Sequence, residues 1–223
     1  VGVRLKPEPP AAPSELARGA RLVGRRDPAM AALIRRAGPV QLRDPLEDSF
    51  AALVRSIMYQ QLAGAAAAII HGRFLNLFDR PLSPDAVLAL PEGAMRSAGV
   101  SGAKAAAITD LSIKVGDGTV PLHDVDALSD DELVARLVQV RGIGRWTAEM
   151  FLIFQLRRLD VWPVDDYGVR KGWAMVHRLK EPPAPRVLQA EGDRFRPFRS
   201  IAAWYCWRAI DTPPEPPRRK RKA

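Results

Sequence analysis

Two short stretches of this chain hold residues whose types and spacing suit chemistry. The first is "VRGIGRWTAEMF" (140–151), where Gly142 and Gly144 sit two apart, a run of helix formers follows, and Trp146 falls in the first helical turn. Glycine adopts backbone conformations that other residues avoid and leaves room for a second backbone to come close. The first N–H groups of a helix have no partner within it and lie at the positive end of its dipole, so they suit a phosphate. The second stretch is "VWPVDDYGVRKGW" (161–173), in which a proline precedes Asp165 and Asp166 and a helix follows. Adjacent residues on a helix point about 100° apart, so these carboxylates are not a paired acid/base dyad. One caps the helix and the other is left to face a cleft, or both cap and solvate its start.

The remaining reactive side chains suggest less. His71, His123 and His177 fit no metal-ligand spacing. A single cysteine, Cys206, excludes an intrachain disulfide, a zinc ribbon and a cysteine-ligated iron–sulfur cluster.

The elements that must position these residues read as helices throughout. "LVARLVQVRGIGRWTAEMFLIF" (133–154) is helix, tight turn, helix. Asp27 and Pro28 open a helix that Gly38 ends, and Ser129 with Glu132 forms a capping box. Phe50, Leu53, Val54, Ile57 and Met58 recur at helical spacing, and the alanine-rich run 63–78 is expected to pack tightly against a neighbour. Further helices are expected over 83–90, 93–99 and 101–115 and from about 145, 165, 184 and 198. Alternation of period two is absent, so the fold class is all-α. Residues 1–20, with "KPEPPAAP", read as an extended or disordered lead-in, and 212–223 as a basic disordered tail.

Thirty-four Lys and Arg against 25 Asp and Glu give a net charge of +9 and a pI near 10.3. Such an excess suits a polyanion, most often nucleic acid, although part of it lies in the tail. No run approaches the ~18 apolar residues of a membrane span, and residues 1–20 lack the apolar core of a signal peptide. The expected location is the cytoplasm, beside the nucleoid, or a nucleus.

Taken together, "RGIGRWTAEMF", "PVDDY" and "PFRSIAAWYCW" (197–207), with "SIMYQQLAGAAAAI" (56–69) and "GVSGAKAAAI" (99–108) in the same order, resemble the helix-hairpin-helix superfamily of base-excision DNA glycosylases. Within it they look most like the 3-methyladenine DNA glycosylase II, or AlkA-type, branch, and the resemblance covers roughly 25–210. It implies two helical lobes with the hairpin at the cleft between them: 49–158 as the central lobe, and 21–48 plus 159–211 as the outer one.

The resemblance also assigns roles. Asp166, with Val169 at +3 and Lys171 at +5, echoes the family's Asp-x-x-Val-x-Arg pattern with Lys in place of Arg, and by the resemblance would be the catalytic carboxylate. Trp146 stands where lyase-type relatives carry a nucleophilic lysine, so no Schiff base and no strand nicking are expected. Trp146, Met150, Tyr167 and Trp207 would line the base pocket; Met150 replaces a usual aromatic, and Trp207 could equally be core. Gln61 would fill the gap left in the duplex, while Gly142, Gly144, Arg145 and Thr147 would hold DNA. Carbonyls of Val138, Val140 and Ile143 would hold Na⁺ or K⁺; no other cofactor is expected.

The function so implied is monofunctional excision of alkylated purines, 3-methyladenine and with it 7-methylguanine, from double-stranded DNA by a monomer. A non-catalytic hairpin protein that binds damaged or branched DNA is the alternative, and it leaves the placement of Asp166 and Trp146 unexplained. The longer family members carry an extra β-containing N-terminal domain, for which about 20 residues are too few.

Overall fold

Asp27, Pro28 and Gly38 bound a helix as their residue types predict. In a computed structural model that describes residues 13–212, α2 spans Pro28–Ala37, Asp27 accepts from the Ala29 and Met30 amides, and Gly38 closes it at φ 77°. The same logic holds along the chain, where Ser83, Ser101 and Ser129 cap α5 (Pro84–Leu88), α7 (Gly102–Gly116) and α8 (Asp130–Leu137). The capping box of Ser129 and Glu132 is formed. The other helices are α1 (Pro13–Arg26), α3 (Ser49–Tyr59), α4 (Gly64–Leu75), α6 (Ala94–Ser97), α9 (Arg145–Phe154), α10 (Tyr167–His177), α11 (Pro185–Gly192) and α12 (Arg199–Asp211). Among the described residues there is no strand, and no helix is long and apolar enough to cross a membrane.

Two expectations fail for physical reasons. Residues 13–20, read as extended, are the first half of α1. Leu16, Ala20 and Val23 recur at i, i+4 and i+7 and are buried, so an apolar stripe decides the conformation once the prolines end. The earlier part of that lead-in, and the tail from 213, lie outside the described residues. The alanine-rich α4 does not pack tightly either: only Ala67 and Phe74 of it are buried, and a Cβ at Gly64 or Gly72 would meet nothing within 4 Å. Its alanines favour helix without supplying a second packing face.

The chain divides into two compact units. One runs from Arg43 to Arg158 and holds α3–α9, around Leu53, Ile57, Phe74, Leu111, Leu137 and Leu152. Its first boundary falls at 42/43 rather than the expected 48/49. Segment 43–48 is tied to the end of α9 because Gln155 Nε2 donates to the Glu47 carbonyl (2.8 Å) and Arg157 donates to the Arg43 carbonyl.

The other unit joins residues up to Leu42 with those from Leu159 onward and holds α1, α2 and α10–α12. α12 is its centre: Ile201, Ala202, Tyr205 and Cys206 are fully buried, and the Tyr205 hydroxyl donates to the Gly38 carbonyl (2.9 Å). Each large apolar side chain so buried contributes about 1.5–3 kcal/mol.

Asp27 also joins α2 to α10. Its Oδ2 lies 3.3 Å from His177 Nε2 and 3.7 Å from Arg194 Nη1, and the His177 ring rests on Trp173 with 4.0 Å between centroids. Burial pushes the Asp27 carboxyl up, but the close His177 imidazole and the hydrogen bonds from the Met30 and Ala29 amides outweigh this and hold it below its usual 3.8. A depressed carboxyl pKa contributes stability that is complete above the unfolded value and lost as pH falls through the folded one. Melting temperature measured between about pH 6 and pH 2 should therefore fall more steeply below about pH 4 in the wild type than in Asp27→Asn. Parallel curves would show that Asp27 carries no such linkage.

Candidate active site and nucleic-acid interface

The hairpin is built as one tight turn between α8 and α9. Ile143 N–H donates to the Val140 carbonyl (3.0 Å), and Gly142 sits at φ 80°. That is the third position of a type II-like turn, where a side chain would be strained. Gly144 differs from expectation: at φ −90° and ψ 171° its backbone is extended, which any residue adopts. A Cβ there would also meet nothing within 4 Å, so neither conformation nor packing requires glycine at 144. What its absent side chain provides is open space before α9.

Gly144 brings no side-chain cap, and the first intrahelical bond of α9 runs from the Ala148 amide to the Gly144 carbonyl (3.0 Å). The helix itself makes no use of the amides of Arg145, Trp146 and Thr147. The Thr147 side chain is buried, so only its backbone fits the expected role. Arg145 lies along α9 with Nε donating to Glu149 Oε1 (2.9 Å), which pairs a buried carboxylate with an exposed guanidinium. Trp146 is 49 % exposed, and Met150, half-buried, follows it at i+4 on the same helix face.

The turn has supports that the sequence did not announce. Asp110 on α7 accepts the Arg141 amide at Oδ2 (2.7 Å), and Lys114 Nζ grips both its oxygens (2.7 and 2.6 Å). The Arg141 amide and the Lys114 ammonium hold the Asp110 carboxyl below its ordinary value. Gln60 Nε2 donates to the Gly142 carbonyl (2.9 Å). The neighbouring Gln61 is exposed at φ 56°, a left-handed conformation uncommon for a non-glycine residue. No sequence pattern links residues 31 and 82 positions apart, so spacing alone could not have found these partners.

In the unit containing α10 and α12, the two aspartates separate. Asp165 is exposed. Asp166 is the N-cap of α10 and only 8 % exposed; its Oδ1 accepts the Val169 amide (2.7 Å) and Trp207 Nε1–H (2.8 Å). The expected division of labour, one aspartate capping and the other facing a cleft, is thus corrected. The same carboxylate that caps is the buried one, because its position lets it reach both the helix start and α12. Two N–H donors on one oxygen fix the orientation of the group at the start of α10. Trp207 is half-buried and directly bonded to Asp166, so it is more than core filling; Tyr167, the first residue of α10, is 64 % exposed.

Gly168 is a site residue that sequence reasoning passed over. A Cβ there would lie 2.8 Å from Trp207 Cδ1 and 3.0 Å from Asp166 Oδ1. Gly168→Ala should displace the indole and break the Trp207–Asp166 bond. We expect at least a tenfold loss of activity, on the order of one charged hydrogen bond, with a melting temperature near wild type. Unchanged activity would show that the bond is dispensable. Cys206, by contrast, is fully buried and burial pushes its thiol up, so it offers no thiolate nucleophile. No group of three or more His, Cys, Asp or Glu that could hold a metal occurs among the described residues.

An all-helical fold, a glycine hairpin and a buried aspartate opening the helix beyond it define a class, and comparison with known proteins agrees. Residues 54–197 match the HhH-GPD superfamily of base excision DNA repair proteins, and the chain belongs to that superfamily. It is 34 % identical over 172 residues to DNA-3-methyladenine glycosylase 1 of Schizosaccharomyces pombe, covering 76 % of this chain and 74 % of the relative. A solved structure of the S. pombe 3-methyladenine DNA glycosylase in complex with abasic DNA superimposes with a TM-score of 0.72 at 31 % identity, covering 86 % of this chain and 95 % of that one. The crystal structure of a DNA-3-methyladenine glycosidase from Bacillus halodurans gives a TM-score of 0.81 at 32 % identity, covering 86 % and 88 %.

Proposed function

We propose that this chain is a monofunctional DNA glycosylase that hydrolyses the N-glycosidic bond of alkylated purines, 3-methyladenine and with it 7-methylguanine, in double-stranded DNA. The observation that carries this reading is Asp166, a buried carboxylate oriented by the Val169 amide and the Trp207 indole at the start of α10. The similarity to proteins named 3-methyladenine DNA glycosylases supports the substrate class.

The chemistry follows from the residues. The damaged nucleotide leaves the base stack, at a cost of a few kcal/mol that is lowest for weakly paired lesions. An alkylated purine already carries positive charge and leaves readily, so no general acid is required. The base-binding role goes to Trp146 and Met150 on α9 in one unit and to Tyr167 on α10 and Trp207 on α12 in the other, because an aromatic face attracts a cationic base. As the bond from C1′ to the base nitrogen breaks, its electron pair departs with the base and positive charge grows on the sugar. Asp166 stabilises that charge and accepts a proton as water adds to C1′. Trp146 supplies no amine, so the abasic sugar is released without a covalent enzyme–DNA bond.

The duplex is held by its backbone. The amides that open α9 receive a phosphate, Gly142 shapes the turn that presents them, Gly144 lets the strand approach, and Gln61 takes the place of the extruded base. Val138 is the C-cap of α8 and the Val140 carbonyl has a lone pair beyond its bond to Ile143, so with the Ile143 carbonyl they offer neutral oxygens that suit Na⁺ or K⁺. The bound cation would add positive charge beside the phosphate.

Incubation of the purified protein with methylated duplex DNA, followed by chromatography of the released bases, tests the reading. Release of 3-methyladenine and 7-methylguanine is expected, with no strand nicking and no adduct trapped by borohydride. DNA binding without base release would favour a non-catalytic damage-binding protein, and a trapped adduct would contradict the monofunctional assignment.

A further inference from the structure

One face of α7 touches both segments to which DNA handling is assigned above. Lys104 Nζ donates to the carbonyls of Met58 (2.6 Å) and Gln60 (2.8 Å) at the end of α3. Three residues on, Ala107 is buried, and its Cβ lies 3.4 Å from where a Cβ on Gly142 would stand. Three further on, Asp110 holds the Arg141 amide, and Lys114 holds Asp110. Positions 104, 107, 110 and 114 share one stripe of a helix. The circuit closes through Gln60, whose backbone carbonyl is held by Lys104 while its side chain donates to the Gly142 carbonyl.

We infer that α7 is a spacer that sets the loop bearing Gln61 against the glycine turn, with Lys104 and Asp110 as its positioning residues; the DNA-handling part of this rests on the function proposed above. The last carbonyls of a helix have no partner within it, and an ammonium at that end also suits the dipole. Lys104 therefore fixes where α3 stops. Gln61 then turns left-handed at φ 56°, which a non-glycine residue maintains only where its surroundings hold it. Side-chain packing leaves a gap there: an open pocket of about 250 Å³, walled by Met58, Gln61, Leu62, Ile70, Val100 and Lys104, lies beside the loop. The bonds made by Lys104 and the link from Gln60 are what tie the loop to α7 and to the turn. A duplex bound by the turn would meet Gln61 at a preset distance, with less ordering left to occur on binding.

Lys104→Met, Gln60→Leu, Gln61→Ala and the Lys104→Met/Gln61→Ala double variant test this, with hydrogen exchange and DNA affinity as readouts. Lys104→Met should accelerate amide exchange over 59–62 and also over 140–143, although Lys104 bonds only the first segment. Gln60→Leu, a surface change that threatens folding less, should accelerate 140–143. Preference for a duplex with a tetrahydrofuran abasic analogue over undamaged duplex should fall about tenfold in Lys104→Met, the scale of losing a charged hydrogen bond. The double variant should lose no more than the larger single loss, because both changes act through one loop. In variants that melt like the wild type, unchanged exchange at 140–143 would overturn the spacer, and so would multiplying losses in the double variant. Should Gln61→Ala alone leave the preference intact, the gap-filling role of Gln61 fails, and the exchange data still decide the spacer.

Discussion

Asp166→Asn should lower the rate of alkylated-base release by about 10²–10³-fold while leaving the fold and the affinity for abasic duplex close to wild type. The magnitude is that of removing one preorganised electrostatic group from a site where charge develops in the transition state. The separation of effects follows from the two bonds made by Oδ1. Asparagine is as good an N-cap as aspartate, and its amide oxygen can still accept from the Val169 amide and from Trp207 Nε1–H. Only the negative charge is lost. Asp166→Ala would remove the cap as well, costing about 1 kcal/mol of stability and confusing the result. Asp165→Asn is the control: its side chain is exposed, and activity should be unchanged. Single-turnover release from a methylated duplex, with melting temperatures for each variant, decides the matter. Full activity in Asp166→Asn would leave this residue as a cap and move the chemistry elsewhere.

Gly172→Ala is expected to be the most destabilising of the glycine-to-alanine changes among the described residues. A Cβ at 172 would stand 1.8 Å from the Cys206 carbonyl oxygen and 2.5 Å from its carbon. These are backbone atoms at the middle of α12, so no side chain can swing aside. α10 and α12 would have to separate, costing about 3 kcal/mol or more, at the upper end of overpacking penalties. For a domain of this size that corresponds to a fall in melting temperature of roughly 6–12 °C. Function should suffer too, because Asp166 and Trp207 sit on the same two helices and their 2.8 Å bond spans the gap. The contrasting change is Gly72→Ala in α4, where a new Cβ meets nothing within 4 Å. It should raise stability by about 0.5–1 kcal/mol, the usual gain of alanine over glycine within a helix. Thermal melts of the two variants should move in opposite directions, and equal shifts would refute the close approach at Gly172.

Much of this protein is written locally. Caps at Asp27, Ser83, Ser101 and Ser129 and the turn at Gly142 depend on bonds spanning a few residues, so residue type and spacing determine them. The same holds for the all-helical class, which follows from apolar periodicity, and for the placement of Trp146 and Met150 on one face of α9. The similarity of motifs singled out Asp166. What tertiary structure alone decided is how each such residue is held. Nothing near Asp166 in sequence indicates that Trp207, 41 positions on, donates to it, or that Gly168 must lack a side chain for the indole to fit. Nor do the residues around Lys104 and Asp110 show that α7 carries the end of α3 and the glycine turn. The burial of α1 and the exposure of α4 belong to the same category, since an apolar stripe is recognisable in a sequence but its partner is not. Hydrogen bonds and packing act over a few ångströms of space, and the chain crosses those ångströms only after it has folded.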